Sequence, residues 1–269
     1  MSNIIPNNRA IIVPVDFSTT SQNALMHAAD HAQAFDNDIM MVHILEESYL
    51  MGLFGGGNNT KNELLNIGIE QKMNELKSLV LEKYPSQTID FLIYEGKVYK
   101  AIVELSEKMT CDCIIMGTKG AEGIEQIIGS TASRVMSYAN VPVIIVNDFP
   151  KKGRYEKIVL PIDLSLESKQ KVTWAIHIAK KYHSEVHIIA EVEEDEFLHN
   201  KIMASIYQVK NILVQNGVKA VIFELDEERF PGRLGIDTLK YADEIQADLI
   251  SVSYTHLRAH ETKANLVCR

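Results

Sequence analysis

Short apolar runs alternate with segments of helical periodicity in the first half of the chain. The strand-type runs lie at 10–15, 39–45, 88–94, 113–116 and 143–146. The helix-type patterns lie between them, at 20–34, 61–83, 98–109 and from 130 onward, and a glycine- and asparagine-rich loop is predicted at 51–59. Because strands and helices alternate in this way, the pattern predicts a mainly parallel sheet with helices on both faces.

The second half repeats the first. The segment AIIVPVDFS at 10–18 returns as KIVLPIDLS at 157–165, so that Asp163 follows Asp16 by 147 positions (163 − 16). Each copy is an apolar strand that ends at Pro-x-Asp and precedes a serine able to cap a helix. The repeat predicts two tandem domains of the same α/β fold, joined by a polar linker at 151–154.

The repeat stops before the second domain is complete. Its strand-type runs lie at 157–161, 185–192, 220–225 and 248–252, with helix-type patterns at 167–182, 195–215 and 233–245. The tail 253–269 shows neither a glycine turn nor a strand pattern, and it resembles translated adapter or vector sequence. We therefore predict a first domain at 1–149, a truncated second domain at 150–252, and a non-native tail whose His256, His260 and Cys268 are not metal ligands.

A glycine-rich turn follows the fourth strand of the first domain. Gly117 and Gly120 come directly after the apolar run, and Gly129, Ser130 and Thr131 precede a helix-type pattern. Such a turn lets the backbone approach phosphate oxygens, and the helix N-terminus favours a negative charge. The spacing fits neither the P-loop nor the dinucleotide fingerprint. A tight turn followed by a helix cap is the alternative interpretation.

Composition and charge narrow the classes of function. The net charge of −9 and the pI near 5.5 argue against nucleic-acid binding. No apolar run approaches the length of a membrane span, and no signal peptide is visible at the N-terminus. The pair Cys111 and Cys113 lies at the entry to a strand, where alternation would send both thiols to one face as buried, inert groups. These features indicate a cytoplasmic protein.

The two motifs together resemble the universal stress protein family. They are the Pro-x-Asp that ends the first strand and the Met-Gly-x-x-Gly followed by Gly-Ser after the fourth. The resemblance covers about residues 8–252 and implies a Rossmann-like, five-stranded parallel sheet of the adenine nucleotide α-hydrolase type. It also implies that ATP or AMP, with Mg²⁺ as an optional companion, binds at the carboxyl ends of the strands.

The resemblance also implies the binding residues. Asp16 would lie near the adenine or ribose, and the backbone of Ile44 after His43 would read the adenine edge. Met116 and Gly117 would form the wall of the ribose site. The phosphates would be cradled by Gly120, Gly129, Ser130 and Thr131. The complete set is Pro14, Val15, Asp16, Ile44, Met116, Gly117, Gly120, Gly129, Ser130 and Thr131.

Two departures from the family pattern bear on this site. The stretch 121–128 is one residue shorter than the family pattern, so the loop either absorbs the deletion or distorts the phosphate site. The second half keeps Asp163 but has Ser251 to Tyr254 in place of the glycine turn. Nucleotide is therefore expected in the first domain only. Lys119 is interpreted as an exposed turn lysine rather than a phosphate ligand.

The expected function is that of a non-catalytic stress regulator that binds an adenine nucleotide. The alternatives are a nucleotide-free dimerising or scaffolding protein and, third, a slow ATP hydrolase. No nucleophile–base pair accompanies the loop, where only Lys119, Glu122 and Glu125 are ionisable, so no enzyme is expected. The acidic run 191–196 is interpreted as a solvated loop. Self-association is expected through the apolar strand 143–146, together with an unknown protein partner.

Overall fold

The computed structural model describes residues 9–46, 59–118, 129–147, 153–164, 167–190, 195–223, 234–254 and 263–268. Its contacts divide the chain into two compact units, 1–150 and 151–269. The predicted loop 51–59 lies outside the described residues except for Asn59, which begins a helix.

The first unit alternates strands and helices. Its strands are β1 (Ala10–Pro14), β2 (Asp38–Leu45), β3 (Ile89–Glu95), β4 (Cys111–Gly117) and β5 (Val143–Val146). Its helices are α1 (Thr19–Phe35), α2 (Asn59–Lys83), α3 (Val98–Lys108) and α4 (Ser130–Tyr138). The order of elements predicted from the sequence is confirmed.

All five strands of this unit are parallel, in the order β3-β2-β1-β4-β5. The chain builds outward from β1 through β2 to β3 and then crosses to β4 on the opposite side of β1. The strand order therefore reverses between β1 and β4. In open α/β sheets such a reversal leaves a crevice at the carboxyl ends of the two strands.

Helices cover both faces of the sheet. Ile12, Val42 and Met116 pack in one cluster with residues of α3 and α4, among them Ile102 and Val135. Side chains alternate along a strand, so the intervening residues face the other way. On that side α1 contacts β1, β4 and α2. The resulting core holds the strand ends of β1 and β4 in fixed positions beside the crevice.

The two cysteines of β4 do not share a face, contrary to the sequence prediction. Cys111 packs in the same cluster as Ile114 and Met116. Cys113 alternates with Ile114 and Met116 along the strand and therefore faces the other side of the sheet. The reason is a register shift against β1, where Ala10 pairs with Cys111 and Ile11 already pairs with Cys113. Both thiols are buried, and burial raises the pKa of the Cys111 thiol to about 12. A thiol with such a pKa is a poor nucleophile at neutral pH.

The second unit repeats the architecture with fewer parallel strands. Its strands are β6 (Lys157–Ile162), β7 (Glu185–Ala190), β8 (Lys219–Phe223), β9 (Leu249–Tyr254) and β10 (Lys263–Cys268). Its helices are α5 (Glu167–Tyr182), α6 (Glu196–Gln215) and α7 (Leu234–Glu244). Four strands are parallel, in the order β9-β6-β7-β8. The prediction of two tandem parallel sheets, the second incomplete, is thus confirmed.

The tail differs from its prediction in one respect. Residues 263–268 form β10, which pairs antiparallel with β9, for example Leu266 with Ser251. A strand without an alternating pattern is possible here because pairing uses backbone N–H and C=O groups, which every residue in this segment carries. The expectation that the tail contributes no function stays a prediction.

Acidification should destabilise the first unit through His27. This α1 residue is only 4% exposed, and burial lowers its pKa from 6.5 to about 4, against a smaller opposite effect of Asp30. Between pH 6.5 and pH 4 the unfolded chain binds a proton at His27 more readily than the folded chain does. The contribution of neutral His27 to the free energy of unfolding is therefore complete above pH 6.5 and is lost as the pH falls toward 4. We expect a loss of about 2 kcal/mol between pH 7 and pH 5.

Urea unfolding of the wild type and of His27→Leu at both pH values measures this contribution. The variant should lose less stability on acidification than the wild type, whatever its stability at pH 7. Equal pH dependence in the two proteins would show that His27 is not the group responsible.

Candidate functional site

A cavity of about 340 Å³ lies in the crevice at the carboxyl ends of β1, β2 and β4. Its size falls in the range of sites for small organic ligands. Nine of the ten residues proposed from the sequence line it: Pro14, Val15, Asp16, Ile44, Met116, Gly117, Gly129, Ser130 and Thr131. The tenth, Gly120, lies outside the described residues, as do Lys119, Glu122 and Glu125. The structure thus brings together segments more than a hundred residues apart, while their binding roles stay predictions.

One end of the cavity is the N-terminus of α4. The helix is preceded by Gly129, which has no side chain to accept the N–H groups of the first turn. Of the next two residues, Ser130 is exposed and Thr131 is half-buried, and each adds a hydroxyl group to the lining. N–H groups, hydroxyls and the positive end of the helix dipole together favour an anion.

The neighbouring N-terminus of α1 is different because it is capped from within. Ser18 Oγ accepts the N–H of Ser21 at 3.2 Å and lies 3.0 Å from Thr20 Oγ1. The serine predicted to cap this helix therefore does so. Its own N–H group donates to Asp16 Oδ1 at 3.0 Å, and its hydroxyl donates to the same oxygen. Asp16 thus orders the turn after β1 and remains exposed at the cavity.

The ends of the glycine loop are joined by a hydrogen bond. The N–H of Gly129 donates to Thr118 Oγ1 at 2.9 Å, and the N–H of Thr118 donates to the carbonyl of Val146 at 3.2 Å. These contacts anchor the start of α4 to the end of β4 and to β5. The start of α4 is therefore placed by residues on both sides of the shortened segment 121–128.

The opposite end of the cavity is built by β2. The ring nitrogen Nδ1 of His43 lies 2.8 Å from the carbonyl of Val15, and the N–H of Val15 donates to the carbonyl of Val42 at 2.9 Å. The His43 ring also packs on Phe17, with 4.7 Å between ring centroids. Val42 and Ile44 make this end apolar, which suits a planar base better than a phosphate.

Gly117 is needed because α1 passes very close to it. A Cβ atom at this position would lie 2.7 Å from the carbonyl oxygen of Thr20 and 2.8 Å from its carbonyl carbon. Side chains do not approach backbone atoms this closely, so any other residue would displace α1 or β4. The predicted role of Gly117 in the wall of a ribose site stays a prediction, and the structure adds that this glycine allows α1 to pack closely on β4.

Two cations lie beside the anion end of the cavity. Arg134 is one turn after Ser130 on α4, and its guanidinium is 5.3 Å from the ring centroid of Tyr99. Lys97 precedes the lining residue Val98, and its ammonium lies 5.6 Å from the same ring. Within the described part of the chain, neither cation has a carboxylate within 4 Å. Their positive charges are therefore not neutralised by a described carboxylate.

Several lining residues were not identified as such from the sequence: Ser18, Thr20, Ser21, Val42, His43, Glu46, Val98, Ile102, Thr118 and Ala132. Thr118 could have been predicted as a lining residue from the sequence, because it follows Gly117 directly in the turn. Val98 and Ile102 could not have been predicted, since apolar residues at helical spacing are equally expected in an ordinary core. His43 was named only as the residue before Ile44.

The second unit does not repeat the electrostatics of this site. Lys171 occupies the position of Ala24 when the 147-residue repeat offset is applied (24 + 147 = 171). It is only 4% exposed, and burial lowers the pKa of its amine to about 8, although Asp163 partly offsets this effect. The second unit therefore has a buried amine, which interacts electrostatically with the aspartate that matches Asp16, where the first unit has the methyl group of Ala24.

Among the described residues, no group of three or more His, Cys, Asp or Glu side chains is placed to hold a metal ion. None of the described helices is long and apolar enough to cross a membrane.

The fold and the cavity define an open, doubly wound α/β protein with a ligand crevice at its strand carboxyl ends. The model of the universal stress protein family matches residues 7–147 and 154–262. The chain belongs to the universal stress protein family, in a tandem form. The resemblance inferred from the two sequence motifs is thereby confirmed.

The chain is similar to several individual proteins. Universal stress protein MJ0531 of Methanocaldococcus jannaschii is 34% identical over 146 residues, which cover 54% of this chain and 84% of that protein. A crystal structure of a universal stress protein from Archaeoglobus fulgidus DSM 4304 shares the fold, with a TM-score of 0.71 and 16% identity over 98% of this chain and 99% of that one. Another universal stress protein from Archaeoglobus fulgidus was solved in complex with dAMP; it is 23% identical, covers 51% of this chain and 96% of that one, and has a TM-score of 0.39.

Proposed function

We propose that the first unit binds one adenine nucleotide, ATP or AMP, and that the protein acts as a non-catalytic stress-response regulator. The observation that carries the proposal is the α4 N-terminus, which opens into the cavity without a side-chain cap. A phosphate there would accept hydrogen bonds from the first-turn N–H groups and from the Ser130 and Thr131 hydroxyls.

The orientation of the nucleotide follows from the two ends of the cavity. The phosphate binds at α4, the ribose lies near Asp16 and Gly117, and the base lies against Ile44 at the end of β2. Asp16 suits a ribose hydroxyl because its carboxylate accepts hydrogen bonds and is already oriented by Ser18. A triphosphate would extend toward Lys97 and Arg134, with Mg²⁺ as an optional companion.

Only the first unit is proposed to bind nucleotide. In the second unit a buried lysine, Lys171, stands at the position of Ala24. The chain also has Ser253 at the position of Gly117 (117 + 136 = 253, the offset that aligns Asp248 with Asp112). Isothermal titration of the purified chain with AMP, ATP and adenosine tests the proposal. One site per chain, with AMP and ATP bound more tightly than adenosine, is expected; no binding of any of the three would refute it.

A regulatory role is favoured over hydrolysis by the state of the cavity's ionisable groups. Of the three ionisable lining residues, Asp16 is engaged by Ser18, and His43 Nδ1 is within hydrogen-bonding distance of the Val15 carbonyl. The third, Glu46, follows the end of β2, at the opposite end of the cavity from α4. A hydrolase would need one of them to activate water. ATP turnover by the purified protein that disappears in Asp16→Ala would contradict this part of the proposal. The nucleotide-free scaffolding role is the alternative, and the titration above decides between the two.

We also propose a cytoplasmic protein that self-associates through β5 and acts on a protein partner. Adenine nucleotides are abundant in the cytoplasm, where free thiols such as Cys111 and Cys113 remain reduced. The four residues Val143–Val146 are all apolar and β-branched, and β5 stands last in the strand order of the first unit's sheet. A strand in such an edge position can pair with another chain through its backbone groups. Sedimentation at increasing concentration tests self-association, and a strictly monomeric protein would contradict it.

Arg134 should strengthen ATP binding more than AMP binding. Arg134 is one turn after Ser130 on α4, on the side to which we propose that the β- and γ-phosphates extend, and no described carboxylate lies within 4 Å of its guanidinium. We expect Arg134→Gln to weaken ATP binding roughly fivefold at low salt, about 1 kcal/mol, and to leave adenosine binding unchanged.

Lys108→Gln is the matched control for this measurement. It removes the same charge, but from the last residue of α3, about 16 Å along the helix axis from Lys97 and beyond the screening length at physiological salt. Equal losses for ATP and adenosine in Arg134→Gln would show that the residue acts through the fold instead.

A further inference from the structure

A second cavity adjoins the first at the end of β2. Its volume is about 510 Å³, and it shares His43, Ile44 and Glu46 with the nucleotide cavity. Its remaining walls come from Phe17, from Leu45 at the end of β2 and from one face of α2, namely Leu64, Leu65, Gly68, Ile69 and Lys72. Nothing in the proposed binding of ATP or AMP uses these residues.

The two cavities follow one another along the strand ends. The nucleotide cavity begins at α4 and crosses the ends of β4, β1 and β2, two strand spacings or about 10 Å. Because a phosphate bound at α4 sets one end of the nucleotide, the base reaches Ile44 at the other end. A substituent on the far edge of the base would therefore point toward α2.

The walls of the second cavity suit an apolar and preferably aromatic group. Leu64 is 65% exposed although it lines the cavity, so a bound group would cover apolar surface that water now contacts. The ammonium of Lys72 lies 5.2 Å from the ring centroid of Phe17, which shows that this cation already contacts an aromatic face. A second ring in the cavity would lie near the same cation.

We propose that this cavity is a subsite for an apolar extension of the base, so that the site accepts adenine nucleotides carrying an aryl or alkyl group on the exocyclic amine. The inference rests on the proposed function, since it takes its orientation from a phosphate bound at α4. It adds a ligand class that plain ATP and AMP do not include.

The test compares AMP with N6-benzyl-AMP by isothermal titration on the full chain. The wild type is expected to bind N6-benzyl-AMP about tenfold more tightly than AMP. In Gly68→Phe this gain should disappear while AMP binding stays unchanged. Gly68 is suited to the test because a Cβ atom there would meet nothing within 4 Å, so the new side chain enters the cavity without a backbone collision.

Two controls accompany this variant. Gly68→Ala adds only a methyl group and should preserve the gain, and Asn66→Phe adds the same ring two residues away, about 200° around α2 and outside both cavities. Thermal unfolding of each variant checks that the fold is intact.

The outcomes separate the two proposals. AMP binding without any gain for N6-benzyl-AMP overturns the subsite alone, and so does a gain that survives in Gly68→Phe. If neither ligand binds the wild type, the nucleotide function fails and the subsite fails with it.

Discussion

Replacing Gly117 with valine should destabilise the first unit by about 3 kcal/mol and abolish nucleotide binding as a consequence. The reason is steric, since the new Cβ atom would lie 2.7 Å from the Thr20 carbonyl oxygen at the start of α1. Either α1 or the end of β4 must move, and both line the cavity. Thermal unfolding should show a fall in Tm of roughly 6–12 °C.

Gly68→Ala is the control for the Gly117 variant. This glycine lies within α2, and a Cβ atom there would meet nothing within 4 Å. Alanine favours a helix over glycine by about 1 kcal/mol, so the control should be at least as stable as the wild type. A Gly117→Val protein with wild-type Tm would show that the close contact with Thr20 can relax. Because loss of binding in this variant reports on packing, it does not by itself locate the ribose.

Ser130→Asp should have opposite effects on stability and on binding. An acidic side chain in the first turn of α4 interacts favourably with the helix dipole, by about 0.3–1 kcal/mol. The same carboxylate would occupy the place of the nucleotide phosphate and repel it. We expect AMP binding to weaken at least about 100-fold, or 2.7 kcal/mol, while Tm is unchanged or slightly raised.

Thr19→Asp is the matched control for this charge. It places the same acid at the first residue of α1, outside the cavity lining. It should give a similar change in Tm with little effect on AMP affinity. Ser130→Ala, which removes only the hydroxyl, should weaken binding by roughly fivefold, the value of one hydrogen bond. Undiminished AMP binding in Ser130→Asp would mean that the phosphate lies elsewhere, and the proposed orientation would be wrong.

The order of elements in both units could be predicted from the sequence because it depends on local periodicity. The β-branched runs of β1 and β5 and the serine before α1 signal a strand or a helix start without reference to the rest of the chain. Because the second half repeats the first, the same strand and helix patterns predicted the order of elements in the second unit. Strand β10 was missed, since its pairing with β9 relies on backbone groups that leave no side-chain pattern.

Most of the candidate site could also be predicted, because the family motifs mark the turns that reach the cavity. The motifs named Asp16 and Ser130, and the structure places both in the cavity lining. The motifs could not show which packing contact requires a particular residue at its position. Gly117 is glycine because of Thr20, a residue almost a hundred positions earlier, and only packing of α1 on β4 brings the two together.

The strand–helix alternation and the turn residues follow from the amino-acid sequence alone, since each depends on neighbours within a few positions. Which distant side chains meet follows from the packing of the elements. Arg134 lies over Tyr99, and one face of α2 forms a second cavity beyond Ile44. These contacts join separate elements, so they depend on how helices pack across the sheet, and local periodicity carries no information about that.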